Sequence, residues 1–272
     1  MRLRPNIVGG ILATVWLLVI VIPVYLAIRA SIESQSAYAK EGPIGLPTMF
    51  TLDNYVGAFK IGFGGFLLNS AIIAAGTVVI VVLVVTPLAF AIVRSRSRLV
   101  RISFRVMLVG LAIPAQVVVL PVYFLIYQVG LYDTLIGVIL PTAAFAIPIS
   151  ALILLGSMRE ISGELYEAMA IDGASSWRMF RRLVVPLSRG GIGTIVVYTA
   201  LQAWNGFLLP LILTRSQSVT VATVGLNNFQ GNHTLNIPGL MAAIILTIIP
   251  IFFLYLFARR SLIAGLTGMG GK

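Results

Sequence analysis

EAMAIDGASSWRMFRRLVVP, residues Glu167–Pro186, sits between two long apolar runs and belongs to neither. The segment around it, residues 158–189, is too long for a helix-hairpin connection and too short to be a domain with its own core, so it must dock on something else. Ile161, Leu165, Ala168 and Met169 recur at spacings that put them on one face of a helix, and Gly173 then interrupts it with the residue best suited to a left-handed turn. A second helix is expected beyond the turn. Ser175 or Ser176 caps it, Trp177, Phe180 and Val184 line an apolar face, Arg178, Arg181 and Arg182 line a basic one, and Pro186 closes it. On periodicity alone, such a pair is either a docking element for a partner or an amphipathic hairpin lying on anionic lipid.

Outward from this segment the chain is overwhelmingly apolar. Of its 272 residues, 59% are hydrophobic and only 10% charged, more apolar surface than a water-soluble fold of this size hides. Six stretches are long enough to cross roughly 30 Å of hydrocarbon as helix, at 11–28, 66–93, 106–127, 135–155, 191–213 and 240–257. Their central parts lack Asp, Glu, Lys and Arg, as expected when such a residue costs about 2.5–3.5 kcal/mol at mid-membrane. The expected fold is therefore all-α and polytopic, with six transmembrane helices in a single domain over residues 1–272. Within it lie the 158–189 loop and a tail, 259–272. The first run is longer than a secretory signal core and is followed by Ile28 and Arg29 where small residues would mark cleavage, so it reads as a retained helix.

The net charge of +11 is not spread evenly. With the N-terminus inside, fifteen of the nineteen basic residues fall on the inner segments, at Arg2, Arg4, Arg94, Arg96, Arg98, Arg101, Arg105, Arg159, Arg178, Arg181, Arg182, Arg189, Arg259, Arg260 and Lys272. The outer segments carry Arg29, Lys40, Lys60 and Arg215, balanced by Glu33, Glu41, Asp53 and Asp133. The positive-inside bias puts both termini in the cytoplasm. Arginines dispersed over four juxtamembrane segments do not form one nucleic-acid recognition surface, so no nucleic-acid partner is expected.

With no cysteine and a single histidine, His233, thiolate or histidine metal sites are not expected. No phosphate-cradling Gly-Lys loop, carboxylate pair or nucleophile with a histidine base is visible, so the chain reads as non-catalytic. Two loops stand out on the outer side. Residues 29–65 contain TLDNYVGAF, a short helix or turn, and the polar loop from Thr214 to Pro238 is too long for a simple turn. The latter is either a solvated loop or a place where an external partner docks.

The Glu167–Pro186 string resembles the cytoplasmic signature of ABC importer permeases. In that family a glutamate, small residues, an Asp-Gly-Ala turn, a later phenylalanine and a closing proline follow in this order, here Glu167, Ala168, Asp172, Gly173, Ala174, Phe180 and Pro186. Met169 stands where the family usually has a second alanine. AWNGFLLPLIL, residues 203–213, and the ending RRSLIAGLTGMGGK are similar to carbohydrate-type permeases, with Gly206 where these commonly have glutamate.

The resemblance implies the type I ABC importer permease fold in a bacterial or archaeal plasma membrane. It also implies a coupling helix over residues Glu167–Ala174 seated in an ATP-binding subunit, with Phe180 and Pro186 completing the element. The implied assembly contains a second homologous permease, two ATP-binding subunits that hold ATP and Mg, membrane lipid, and an extracytoplasmic solute-binding protein that meets Asn227, Asn228, Phe229, Gln230, Asn232 and His233. No cofactor is expected in this chain. For a sugar path, Gln116, Tyr123, Gln202, Trp204 and Asn205, with Asn69 and Gln128, offer uncharged hydrogen-bonding and aromatic groups, although such residues also join neighbouring membrane helices. A non-sugar solute such as a glycerol phosphodiester, amino acid or peptide is the alternative within the class. A gradient-driven carrier is the alternative outside it, disfavoured by the lack of titratable residues in the spans.

Overall fold

The computed structural model describes residues 7–45, 47, 49–95, 97–229 and 235–267. A chain in lipid must satisfy its backbone N–H and C=O groups internally, and here it does so almost wholly by helix. The order is α1 (Ile7–Ser31), α2 (Gln35–Glu41), α3 (Asp53–Lys60), α4 (Phe63–Arg94), α5 (Arg98–Val109), α6 (Ala115–Gln128), α7 (Leu135–Arg159), α8 (Gly163–Ile171), α9 (Ser176–Met179), α10 (Val185–Leu187), α11 (Arg189–Trp204), α12 (Leu208–Leu213), α13 (Ala222–Gly225) and α14 (Ile237–Thr267). Among the described residues α1, α4, α7 and α14 are long and apolar enough to cross a membrane, and the number rises to six if each of two bent pairs counts as one span.

Those bent pairs correct the sequence-based spans. The expected third span, 106–127, is broken: α5 ends in a 3-10 turn at Gly110–Ala112, and α6 leaves at 108° to it. Pro114 is the cause, since its ring forces Ile113 into extended backbone and it has no N–H to continue the helix. The expected fifth span, 191–213, is interrupted at Asn205–Phe207 between α11 and α12. A second bend of 73° separates Ser176–Leu187 from α11.

The chain divides into two compact units, residues 1–64 with 225–250 and residues 65–224 with 251–272. In the first, α1 exposes nearly all of its apolar surface until its final turn, where Arg29 is buried. Its guanidinium lies 3.0 Å from the carboxylate of Glu33, which is wholly buried, and donates from Nη1 to the carbonyl of Gly42 at 2.8 Å. Charges counted among those of the outer segments thus form a buried clasp that draws α2 against the end of α1. Asn54 of α3 donates to the carbonyls of Ser31 and Glu33 at 2.9 and 2.8 Å, and Ser31 shares a 2.7 Å hydrogen bond with Tyr55. Gln35 of α2 reaches the carbonyl of Leu235 at 3.2 Å. The second short helix of this segment, α3, corresponds to the expected TLDNYVGAF element, while α2, capped by Ser34 on the N–H of Ala37, was not foreseen.

The core of the second unit is built on α7. Val81, Val85 and Ala89 of α4, Ala143, Ala146, Ala151, Leu154, Leu155 and Met158 of α7, and Ile195 of α11 are buried in one cluster. At the α7–α11 crossing, an added Cβ at Gly191 would stand 2.6 Å from the Cβ of Ser157, so glycine is required for the approach. Ser150 and Thr199 share a buried hydrogen bond of 3.4 Å between the same two helices.

The Arg29–Glu33 pair leaves Nε of Arg29 and a carboxylate oxygen of Glu33 without hydrogen-bond partners among the described residues. Removing one charge strands the other in a dry site, whereas replacing both removes the desolvation cost together with the attraction. Thermal unfolding of the purified protein should therefore show Glu33→Gln or Arg29→Met destabilised by about 3–5 kcal/mol, and the double Arg29→Met/Glu33→Leu variant much less so.

Candidate functional site

The 158–189 segment folds as expected into two helices about a tight turn, but its faces differ in part from the periodicity. Ser162 caps α8 through the N–H of Glu164, and α8 ends at Asp172, after which Gly173 takes φ +70° and passes the chain to Ser175, the cap of α9. The inward side is Ile161, Tyr166, Met169, Ala174, Met179 and Val184, all joined to the α4–α7–α11 core. Leu165 and Ala168, expected on that side, are exposed. Ile171 and Trp177 are 87% and 67% exposed, so Trp177 is not buried with Val184, although its ring stacks on the half-buried Phe180 at 5.4 Å. Phe180 in turn meets Phe90 of α4 at 5.5 Å, and the Arg94 guanidinium lies 4.7 Å above the Tyr166 ring.

After α9 the chain winds as a π turn over Phe180–Val184 and returns to α-helix at α10. Pro186 lies inside this last turn and does not close it; the helix ends one residue later, at Leu187. The missing Pro186 N–H and the clash of its ring with the carbonyl four residues back account for the wider turn. Glu167 and Asp172 are exposed, and neither forms an ion pair with a described residue. The segment therefore presents an outward surface of Leu165, Ala168, Ile171, Trp177 and two carboxylates, while its other side is rooted in the helices of the second unit.

A cavity of about 540 Å³ opens in the second unit between α6, α7 and α11. Val118, Val122, Pro141, Phe145, Pro148 and Ile149 are among its apolar lining, and Tyr198 and Gln202 supply the hydrogen-bonding side chains. Of the proposed path residues only Gln202 lines it. Gln116 is exposed on α6, and Tyr123 belongs to an aromatic group with Phe124, Tyr127 and Tyr132. Trp204 is buried with Ala74 and Ala203, and Asn205 donates to the carbonyl of Leu201 at 2.9 Å, stopping α11. Gln128 is exposed at the end of α6. Asn69 does not line this cavity: it is buried and donates to the carbonyls of Ser218 and Thr220 at 2.9 and 2.8 Å. No charged side chain lines the cavity.

The loop after α12 is fastened at its root by residues that sequence reading assigned no such role. Asp133, itself at φ 60°, accepts from the N–H groups of Arg215 and Ser216 at 2.7 and 2.9 Å and from the Ser216 hydroxyl. The Ser70 hydroxyl accepts from the N–H of Ala222 at 2.9 Å. The available signal was that Asp133 is the sole carboxylate between Asp53 and Glu160. Further along, Asn227 and Asn228 are exposed, but Phe229 is buried and meets Phe63 edge-on at 6.1 Å, so it anchors the loop from within. Gln230, Asn232 and His233, and residues 268–272 of the tail, lie outside the described residues.

Comparison with known proteins makes the class of this helical, apolar chain explicit. Residues 83–267 match the family described as "Binding-protein-dependent transport system inner membrane component", and the chain belongs to that family. It is therefore a multi-pass membrane protein. The chain is 34% identical over 250 residues to the trehalose transport system permease protein of Mycobacterium tuberculosis, covering 90% of each chain. It is 31% identical over 263 residues to the diacetylchitobiose uptake system permease protein of Streptomyces coelicolor, covering 95% of this chain and 86% of that one. Its fold matches a chain in the crystal structure of a bacterial ABC transporter involved in import of the acidic polysaccharide alginate. The TM-score is 0.82 at 21% identity, covering 96% of this chain and 100% of that one.

The hydrogen bond from the Ser216 hydroxyl, then those from the Arg215 and Ser216 amides, hold the Asp133 carboxyl below its ordinary value. A carboxyl so shifted contributes stability fully above the ordinary value near 3.8 and loses it as pH falls through the lower, folded value. Hydrogen exchange at the Arg215 and Ser216 amides should thus be several-fold faster in Asp133→Asn than in the parent at neutral pH. The two rates should converge once the pH drops below that range.

Proposed function

We propose that this chain is a membrane-spanning subunit of an ATP-driven, binding-protein-dependent importer of a sugar or oligosaccharide. The observation that carries this reading is the two-sided helix-turn-helix at residues 158–189: an exposed outward face, and an inward face continuous with the α4–α7–α11 core. A groove in an ATP-binding subunit suits Leu165, Ala168, Ile171 and Trp177, with Glu167 and Asp172 available to basic groups on its rim. Force applied there reaches α4 through Phe180–Phe90 and Tyr166–Arg94, and α7 through Met158. Closure of two ATP-binding subunits on ATP and Mg would draw these helix ends together, the rigid-body type of switch. The chain itself supplies no catalytic group.

In this reading there are six spans, the third carried by residues 110–128 and the fifth by α11 with α12, both termini are cytoplasmic, and the membrane is that of a bacterium or archaeon. A second homologous permease completes the path, and a solute-binding protein docks from outside near Asn227 and Asn228. A sugar is favoured because the relatives include permeases named for trehalose and diacetylchitobiose. The cavity agrees, since Gln202 and Tyr198 suit a neutral polyol and no cation is present to match an acidic one.

Extraction of the importer from native membrane tests the coupling role. At φ +70° and with nothing within 4 Å of an added Cβ, Gly173 is sensitive to backbone strain and not to crowding. Gly173→Pro should insert but lose the ATP-binding subunits on co-purification, Gly173→Ala should weaken them by about 1–2 kcal/mol, and Gly173→Asn, which tolerates this conformation, should keep them. If no ATP-binding subunit accompanies even the parent under gentle extraction, the importer reading fails. The substrate reading is tested by Gln202→Ala: loss of one hydrogen bond, about 1 kcal/mol, should raise the half-saturating sugar concentration for uptake about fivefold with the ATP-binding subunits still bound.

A further inference from the structure

Helix α5 carries three faces. Val100, Phe104 and Met107 pack inward on the core that holds Met158, Tyr166 and Met179. Leu99, Ile102, Val106 and Val109, at i, i+3, i+7 and i+10, form a continuous stripe that is 53–75% exposed. Beside that stripe Arg98, Arg101 and Arg105 form a second row, all exposed and none in an ion pair with a described residue. The charge is uncompensated in sequence too, since no Asp or Glu occurs between Asp53 and Asp133.

We propose that α5 lies in the plane of the membrane at its boundary, on the side where the 158–189 segment emerges, as a binding face for anionic phospholipid. The 108° bend at Pro114 supports this, because if α6 runs along the membrane normal α5 lies nearly flat. So does the adjacency of the two outward rows, which lets arginines reach headgroup phosphates while the apolar stripe enters the acyl boundary. Charge selects the lipid: an array of arginines beside an exposed apolar stripe on one helix calls for an anionic headgroup over an acyl boundary. The placement rests on the family membership, and the name of the inner side on the orientation proposed above.

The chain has no cysteine, which permits clean labelling. In the complete importer, reconstituted in phosphatidylcholine vesicles containing phosphatidylglycerol, single Leu99→Cys, Ile102→Cys, Val106→Cys and Val109→Cys variants would carry a fluorophore quenched by nitroxide lipids of graded depth. All four should report one shallow depth. A crossing helix would instead separate the first and last by about 15 Å, at roughly 1.5 Å per residue, and that gradient would overturn the proposal. Intact-complex mass spectrometry should further show phosphatidylglycerol retention falling about fivefold per charge removed through Arg98→Gln, Arg101→Gln and Arg105→Gln, with the ATP-binding subunits unaffected. Unchanged lipid retention, or loss of an ATP-binding subunit in its place, would assign the basic row to a protein partner and overturn it equally. Failure of the importer reading would be seen separately, as no ATP-binding subunit on the parent, and leaves the depth measurement valid.

Discussion

Everything in the second unit depends on how closely α7 and α11 approach. In lipid there is no hydrophobic force to press helices together, so association rests on close packing and on polar groups that bond across the interface. Gly191 against Ser157 supplies the first and Ser150 with Thr199 the second. With that crossing set, the buried residues of α4 close the third side, and the ends of these helices form the seat on which α8, α9 and the π turn rest. A disturbance at the outward face of the 158–189 segment is therefore met by a packed core and not by a flexible tether.

The first unit solves a different problem. Among the described residues its long helix α1 is exposed along nearly all of its apolar length, so its position within the unit is fixed at one end, by a buried charge pair and backbone-directed hydrogen bonds. Such a pair confers little net stability but penalises any arrangement in which one member lacks the other, which makes it a determinant of geometry more than of free energy.

The helices of this protein were legible because hydrocarbon imposes length and apolarity on any segment that crosses it, and α1, α4, α7 and α14 obey that rule without exception. The breaks were not. Pro114 and Gly206 lie in apolar surroundings that read through as continuous, and proline in a membrane helix is as often absorbed as it is a corner. The Asp-Gly-Ala turn and both of its helices were visible from glycine and capping serines. Which residues face outward was not: Leu165 and Ala168 share a periodic face with Met169, yet the seat formed by α4 and α7 takes Tyr166 and Met169 and leaves the others exposed. Among polar residues, Asn69, Asn205 and Asp133 spend their hydrogen bonds on backbone groups distant or local, a choice that composition cannot reveal.

The π turn at Phe180–Val184 has one more implication. A π turn holds a residue more per hydrogen-bonded ring than an α turn does, so the two α-helical pieces it joins are offset in phase along one continuous rod. Trp177 looks out and Val184 looks in because of that offset. The segment therefore stores its alignment in a count of residues, held by the Pro186 ring that widens the turn. A substitution other than at Pro186 changes one contact, whereas a single-residue insertion or deletion would shift the phase of α10 against α9.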